Sequence, residues 1–310
     1  MRLPSPLPDE LTDRSFTVAR ARDLGLSRSR LRAQDLLTPS REIRVRRGAV
    51  PDLVDRCRPY TELLPGVFFS HFTAAGLHGI PLPFGPGQDT AIHLGRNRGL
   101  AVPRRRQVIG HRMDLDPEEL TTVSMLPVTS LPRTLLDLAA QLATDDLVVI
   151  GDWMISEHHR SFGKRRVARL PLKDLRNYSE GKVGARGLRK LRAAIELMRV
   201  GVDSPQETRV RLELHRAGLP EFTPNTPIMD ATGSPALWVD LGCKTYRTCI
   251  EYDGAHHLDP GQQSRDYGRD ARTRELGWHQ VRLNSYDMAQ GQSWVVGKVR
   301  HALVQGGYEP

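Results

Sequence analysis

A chain of 310 residues is long enough to bury two or three hydrophobic cores, and its three cysteines, Cys57, Cys243 and Cys249, are too few and too scattered for a disulfide framework or a four-cysteine zinc site. The opening MRLPSPLPDE lacks the apolar run of a secretory signal, and no stretch approaches the ~18 apolar residues of a membrane span, so a soluble, cytoplasmic, multidomain protein with no membrane partner is expected. The net charge of +9 is unevenly spread: ten arginines face three acids between Arg14 and Val50, whereas twelve lysines and arginines meet thirteen acids from Ser204 onward.

A basic head suits a polyanion, and the spacing within it predicts a small winged helix-turn-helix over residues 1–58. Phe16 and Thr17 open a helix running to Arg22, Leu24-Gly25-Leu26 makes the corner, and Ser27 caps a second helix from Arg28 to Leu36. Arg28, Ser29, Arg30 and Arg32 would lie near the start of that helix, where a recognition helix meets the major groove. Glu42 to Gly48 alternates as a strand bearing Arg44, Arg46 and Arg47, a wing that would rest on phosphate. Phe16-Thr17, Ala21, Leu24-Gly25-Leu26-Ser27, Leu31-Arg32 and Arg44-Val-Arg-Arg-Gly48 together resemble the N-terminal winged-helix domain of AbiEi-type antitoxins. The resemblance implies DNA contact, used in the antitoxins for autoregulation, and no catalytic chemistry.

Residues 59–200 read as a middle α/β region. A helix from Ser70 to His78, a proline- and glycine-rich loop from Ile80 to Gln88, a strand at Ala91 to Leu94, an amphipathic helix over Val128 to Ala139 and an apolar segment from Asp145 to Met154 are expected. The spacing of His71, His78, His93 and His111 matches no familiar ligand pattern, and packed or capping histidines are expected there in place of a metal site. Arg160 to Arg169 is a basic loop, read as a solvated linker or a track for a nucleic-acid backbone. A further helix spans Gly184 to Val200, with Leu188, Leu191, Ile195 and Met198 at helical spacing.

The last region, 201–310, carries the chemistry. Ser204-Pro-Gln-Glu207 is a capping box, so Glu207 has a structural reason to exist as well as a chemical one. Leu237, Val239 and Leu241 alternate with Trp238 and Asp240, and a second strand places Ile250 and Tyr252 opposite Cys249, Glu251 and Asp253. Pairing of the two strands would bring Asp240 near Glu251, an oxygen-rich site for Mg²⁺ or Mn²⁺, with Gly254 turning the chain before His256 and His257. A helix with an inward carboxylate, two acid-bearing strands, then a helix and a strand is the layout of a restriction-endonuclease-like α/β/α domain.

Ser204-Pro-Gln-Glu-Thr, Val239-Asp240-Leu, Ile250-Glu-Tyr-Asp-Gly254, His257, Arg265-Asp266 to Arg269 and Leu276-Gly-Trp278 to Arg282 resemble the DUF559 family, related to very-short-patch-repair endonucleases within the PD-(D/E)XK superfamily. The resemblance implies that Asp240 and Glu251 are the metal-binding acids and Glu207 the helix acid used by some members. It places Asp253 where the superfamily has a lysine, which leaves His256 or, preferably, His257 as general base or leaving-group acid. Arg269 and Arg272 would neutralise phosphate charge, Asp266 would pair with Arg269 on the helix surface, and Asp253 would be a third ligand or would orient a histidine. The relatives' structural zinc would be absent.

The expected function is a divalent-metal-dependent endodeoxyribonuclease that binds DNA through its basic head. The alternative is a non-enzymatic, AbiEi-like regulator that keeps a degenerate nuclease fold as a scaffold. The sequence sets no oligomeric state.

Overall fold

The computed structural model describes residues 4–83, 91–158, 165–254 and 260–309, without the side chains of 260–267. The chain divides into two units, Met1–Gln141 and Leu142–Pro310, and the boundary falls within the stretch read as a middle region. Both units mix helices with sheet, and no helix among the described residues is long and apolar enough to cross a membrane.

The first unit begins with α1 (Asp9–Thr12), β1 (Phe16–Thr17) and α2 (Val18–Asp23), then a single 3₁₀ turn (Arg30–Arg32), β2 (Leu36–Leu37) and β3 (Ile43–Arg46). Phe16 and Thr17 do not start the helix as expected. They pair with Arg44 and Ile43 of β3, and the Thr17 hydroxyl then caps α2 by accepting the Arg20 amide at 3.1 Å. The expected helix from Arg28 to Leu36 is also replaced. Only Arg30–Arg32 is helical, Ala33 is extended at φ −63° and ψ 149°, and Leu36 and Leu37 join β3 in an antiparallel ladder. Two forces favour the shorter turn. The Arg30 guanidinium forks onto Asp35 at 2.9 and 2.7 Å, a pairing five residues on that a continuous helix would hold on different faces, and the β2 ladder satisfies backbone groups that a helix end would leave open. Leu11, Phe16, Ala21, Leu31 and Leu36 form the small core beneath.

The same unit continues through α3 (Leu53–Leu63), β4 (Phe68–Phe69), α4 (His71–Leu77), β5 (Ile92–Asn97), β6 (Val108–Met113), β7 (Leu120–Val123), β8 (Leu126–Thr129) and α5 (Leu131–Ala139). Its five-stranded sheet runs β6-β5-β4-β8-β7, with β5 parallel to β6 and β4 parallel to β8. Cys57, Tyr60, Phe69, Ala74, Ile92, Leu94, Leu126 and Val128 pack against it, and Ile43 of β3 joins the same core.

The second unit opens with α6 (Thr144–Ile155), α7 (Leu172–Gly181) and α8 (Leu188–Leu197), and continues with α9 (Pro205–Arg216), β9 (Thr223–Met229), β10 (Pro235–Cys243), β11 (Thr248–Asp253), α10 (Pro260–Glu275), β12 (His279–Asn284), α11 (Ser285–Ala289) and α12 (Gln292–Gln305). The sheet order is β12-β11-β10-β9; the first crossing, β11 to β12, is parallel and is made through α10. Val210 and Leu214 of α9, Leu241, Ile250 and Leu283 of the sheet, and Val295, Val299 and Leu303 of α12 form the main core.

A buried polar knot ties α6 to α9. Asp152 is fully buried, and its two oxygens accept the Arg211 guanidinium at 2.7 Å, the Thr208 hydroxyl at 2.8 Å and the Arg199 amide at 2.7 Å. Arg211 also donates to the Leu197 carbonyl at 2.8 Å. A buried charge is tolerated when it is paired and hydrogen-bonded; both Asp152 oxygens meet that condition, while Arg211 Nε has no hydrogen-bond partner among the described residues.

Candidate functional site

The site is assembled from the start of α9 and the ends of β10 and β11. Burial along β10 follows the expected alternation, with Leu237, Val239 and Leu241 buried and Trp238 and Asp240 half-buried. The β10–β11 ladder pairs Leu241 with Ile250, Gly242 with Cys249 and Cys243 with Thr248. Beyond that ladder the Asp240 side chain takes over, and its Oδ2 accepts the Tyr252 amide at 2.8 Å. The carboxylate is thereby fixed beside the strand that carries Glu251.

Glu251 is mostly buried, and its Oε1 accepts Arg269 Nη2 at 2.9 Å. The same nitrogen also donates to the Trp238 carbonyl, so Arg269 bridges β10 and β11 from α10. Glu207 closes the start of α9: its amide donates to the Ser204 hydroxyl at 3.3 Å, and its Oε2 accepts the Asp203 amide at 3.0 Å. The Ser204 half of the expected capping box therefore forms, but the reciprocal half does not: the Glu207 carboxylate takes the amide of Asp203, one residue before the cap.

The electrostatics tie the three acids together. Burial first, and then the charge of Asp240, pushes the Glu207 carboxyl up to about 8, although the Asp203 amide and the Ser204 hydroxyl pull the other way. Burial and Asp240 likewise raise Glu251 to about 7, opposed by Arg269 and Arg282. Asp240 is thus felt by both glutamates. Buried carboxyls beside a further carboxylate form a donor set that a hard divalent cation would relieve. The oxygen-only chemistry of Asp240 and Glu251 fits Mg²⁺ or Mn²⁺, with the Arg269 guanidinium supplying the positive charge beside Glu251.

Asp253 is half-exposed and accepts Arg282 Nη1 at 3.2 Å, while Arg282 Nη2 reaches Asp270 at 2.7 Å. Parallel pairing of β11 with β12 sets Arg282 opposite Glu251, an adjacency that the local sequence pattern does not reveal. An open groove of about 920 Å³ runs from Asp270 and Arg282 past Arg274, Trp278, Trp294 and Lys298. Arg272 is not drawn to the acids and pairs with Glu275 at 3.2 Å on the exposed side of α10. His256 and His257 lie outside the described residues, as does the side chain of Asp266.

Asp203 was not singled out by sequence, yet it organises the approach to Glu207. Its carboxylate accepts Arg166 and His158 at 2.8 Å each and Asn225 at 3.1 Å. One arginine of the loop read as a solvated linker is therefore tied to the start of α9. No local signal marks Asp203, because all three partners are remote in sequence.

In the head, Arg28, Ser29 and Arg32 are exposed, and Ser29 shares a 2.9 Å hydrogen bond with Ser27. Arg46 makes an exposed pair with Asp13 at 3.4 Å, and exposed Arg47 donates to the Gln34 carbonyl at 3.4 Å. Arg30 and Arg44 are turned inward. Arg30 is 6% exposed and committed to Asp35, and Arg44 donates to the carbonyls of Leu31 and Ile43 at 2.9 Å each.

The histidines of the first unit depart most from expectation. Among the described residues, one set of three or more His, Cys, Asp or Glu side chains brings its ligand atoms within 4.8 Å of one another, and that set is His71, His93 and His111. The Glu207, Asp240 and Glu251 carboxylates are not gathered as tightly. His78 stands apart and bonds the Thr129 carbonyl at 2.8 Å. The chain matches none of the protein-family models scanned and none of the curated proteins searched.

Proposed function

We propose that the chain is a divalent-metal-dependent DNA endonuclease, with a restriction-endonuclease-like domain in its C-terminal region and a winged-helix DNA-binding head. The observation that carries this reading is that Glu207 and Glu251, both held neutral first by burial, also feel the charge of Asp240 at one end of the β10–β11 pair. Such a cluster is unfavourable for folding alone and is relieved by a cation. Asp240 and Glu251 would hold Mg²⁺ or Mn²⁺, which when bound supplies Lewis-acid polarisation of a phosphodiester and a more acidic water.

The chain's own residues have separable tasks. Asp240 is anchored on the Tyr252 amide in a restricted orientation, and ligand pre-organisation of this kind lowers the cost of binding. Arg269 is held at the Trp238 carbonyl and shares its charge between Glu251 and a phosphate oxygen placed above it. Arg282 braces Asp253 and Asp270, and Asp253 is read as an anchor for Arg282. Arg274, Trp278, Arg282, Trp294 and Lys298 give the adjoining groove the mixture of cations and ring faces that suits a nucleic-acid strand. The general base is assigned to His257. In the head, exposed Arg28, Arg32, Arg46 and Arg47 are assigned to phosphate contact.

The non-enzymatic regulator is favoured by one observation: Glu251 is already paired with the Arg269 guanidinium at 2.9 Å. Supercoiled plasmid incubated with Mg²⁺ or Mn²⁺ separates the two readings. Nicking or linearisation by the native chain, lost in Asp240→Ala and Glu251→Ala, is the expected result. Equal behaviour of all three, with DNA binding retained in a gel-shift assay, overturns the nuclease and leaves the regulator.

A further inference from the structure

The geometry points to a second metal site, a zinc site in the N-terminal unit built by His71, His93 and His111 with its remaining position open to solvent. The three residues come from separate elements. His71 is the first residue of α4, His93 lies on β5, and His111 lies on the parallel neighbour β6, where it stands opposite Gly95, two residues beyond His93. Their ring planes are within 25° of parallel, with centroid separations of 3.7 Å for His71–His111, 5.1 Å for His93–His111 and 5.6 Å for His71–His93. His93 Nδ1 is 2.9 Å from His111 Nε2, and the ligand atoms of all three rings fall within 4.8 Å of one another. Zinc–imidazole bonds of about 2.0–2.1 Å require nitrogens roughly 3.3 Å apart, so a bound ion would displace the proton shared between His93 and His111 and turn the stacked rings towards it.

Three further features suit a cation. The Ser70 hydroxyl lies 3.0 Å from His71 Nδ1, and an Nδ1–H donated to that oxygen leaves the Nε2 lone pair for the metal, as an orienting partner does in metal sites. His71 sits at φ +51°, in the left-handed region that a residue with a side chain adopts at a cost, and the conformation brings its ring over His111. Asp137, a buried carboxyl beside the His71 backbone, pairs with Arg133 at 2.9 Å and keeps its Oδ2 without a hydrogen-bond partner among the described residues, while Arg133, also paired with Glu119 at 3.2 Å, is the charge felt at His71. His71 and His111 are half-buried whereas His93 is fully buried, so the open side of the trio is the side of the first two. Three nitrogen donors favour Zn²⁺ over the Mg²⁺ or Mn²⁺ assigned to the carboxylates.

The test uses the full chain carrying Asp240→Ala and Glu251→Ala, so that the carboxylate site contributes nothing. After treatment with a chelator and its removal, ZnCl₂ is titrated calorimetrically. One Zn²⁺ per chain is expected, with His71→Gln or His111→Gln lowering affinity by more than about tenfold and Ser70→Ala weakening it by about tenfold. Co²⁺ is expected to give a visible d–d spectrum that both glutamine variants lose. His93 is 2% exposed and its replacement risks the fold, so the half-buried pair carries the test, with circular dichroism confirming that each variant is folded. No Zn²⁺ uptake by the parent chain, or uptake unchanged in the double His71→Gln, His111→Gln variant, overturns the site.

Discussion

The carboxyl of Glu207 closes the start of α9 and at the same time faces the charge of Asp240, and the two duties pull its ionisation in opposite directions. Burial and Asp240 prevail, and the group titrates at about 8 in the folded chain against 4.5 ordinarily. A carboxyl whose folded pKa is raised stabilises the fold fully below its ordinary pKa, and that contribution is lost as pH rises through the folded value. The metal-free native chain should therefore lose thermal stability between about pH 5 and pH 9, by up to about 1.4 kcal/mol for each pH unit crossed. Glu207→Gln keeps a neutral side chain at every pH and should flatten that part of the profile. Melting curves in a chelating buffer across this range measure the difference, and parallel profiles for the two proteins would show that the Glu207 carboxyl is not raised in the folded chain. At this scale the sequence was informative about identity and silent about direction. The Ser204–Glu207 spacing announced the cap, and the alternation along β10 announced that Asp240 is displayed. Nothing local distinguished Arg28 and Arg32, which are exposed, from Arg30 and Arg44, which are turned inward, because the distinction is made by Asp35 and by two backbone carbonyls.

Elements were legible where a hydrophobic period or a cap defined them, and illegible where partners distant in sequence decided. The helix expected from Arg28 to Leu36 gave way to a short 3₁₀ turn because Leu36 and Leu37 found a strand partner. The histidine trio escaped because its spacing is set by topology: two residues on neighbouring parallel strands and one at a helix start meet only after the sheet has formed. Arg282 reached Glu251 by the same route, through parallel pairing across α10. The knot at Asp152 is a further case, since it joins α6 to α9 across more than fifty residues. Asp152→Ala leaves Arg211 buried without its counter-charge and removes acceptors from Thr208 and the Arg199 amide, which should cost about 3–5 kcal/mol. Chemical denaturation followed by circular dichroism checks the value, and a loss below about 1 kcal/mol would show that water or relaxation replaces the pair.

For the molecule as a whole, the consequence is a boundary. Residues 142–200 carry α6, α7 and α8, whose apolar faces and polar groups are satisfied within the C-terminal unit: α6 meets α8 and α9, Arg209 pairs with Asp146 at 3.1 Å, and Arg199 pairs with Glu221 at 2.6 Å. The carboxylate site depends on the same helices, because α9 positions Glu207, and Asp203 is anchored by Arg166 and His158 from the segment before it. A fragment comprising 142–310 should therefore unfold cooperatively at a temperature close to one transition of the full chain, and if the nuclease reading holds it should retain metal-dependent nicking with reduced DNA affinity. A fragment beginning at residue 201 removes α6 from one face of α9 and leaves the buried Thr208 and Arg211 without Asp152. It should show broad melting and bind a hydrophobic dye. Calorimetry of the two fragments decides the matter: a sharp transition in the shorter one would mean that α6 to α8 merely accompany the sheet, and its absence there, with a sharp transition in the longer one, would establish these helices as part of the scaffold that holds the acids.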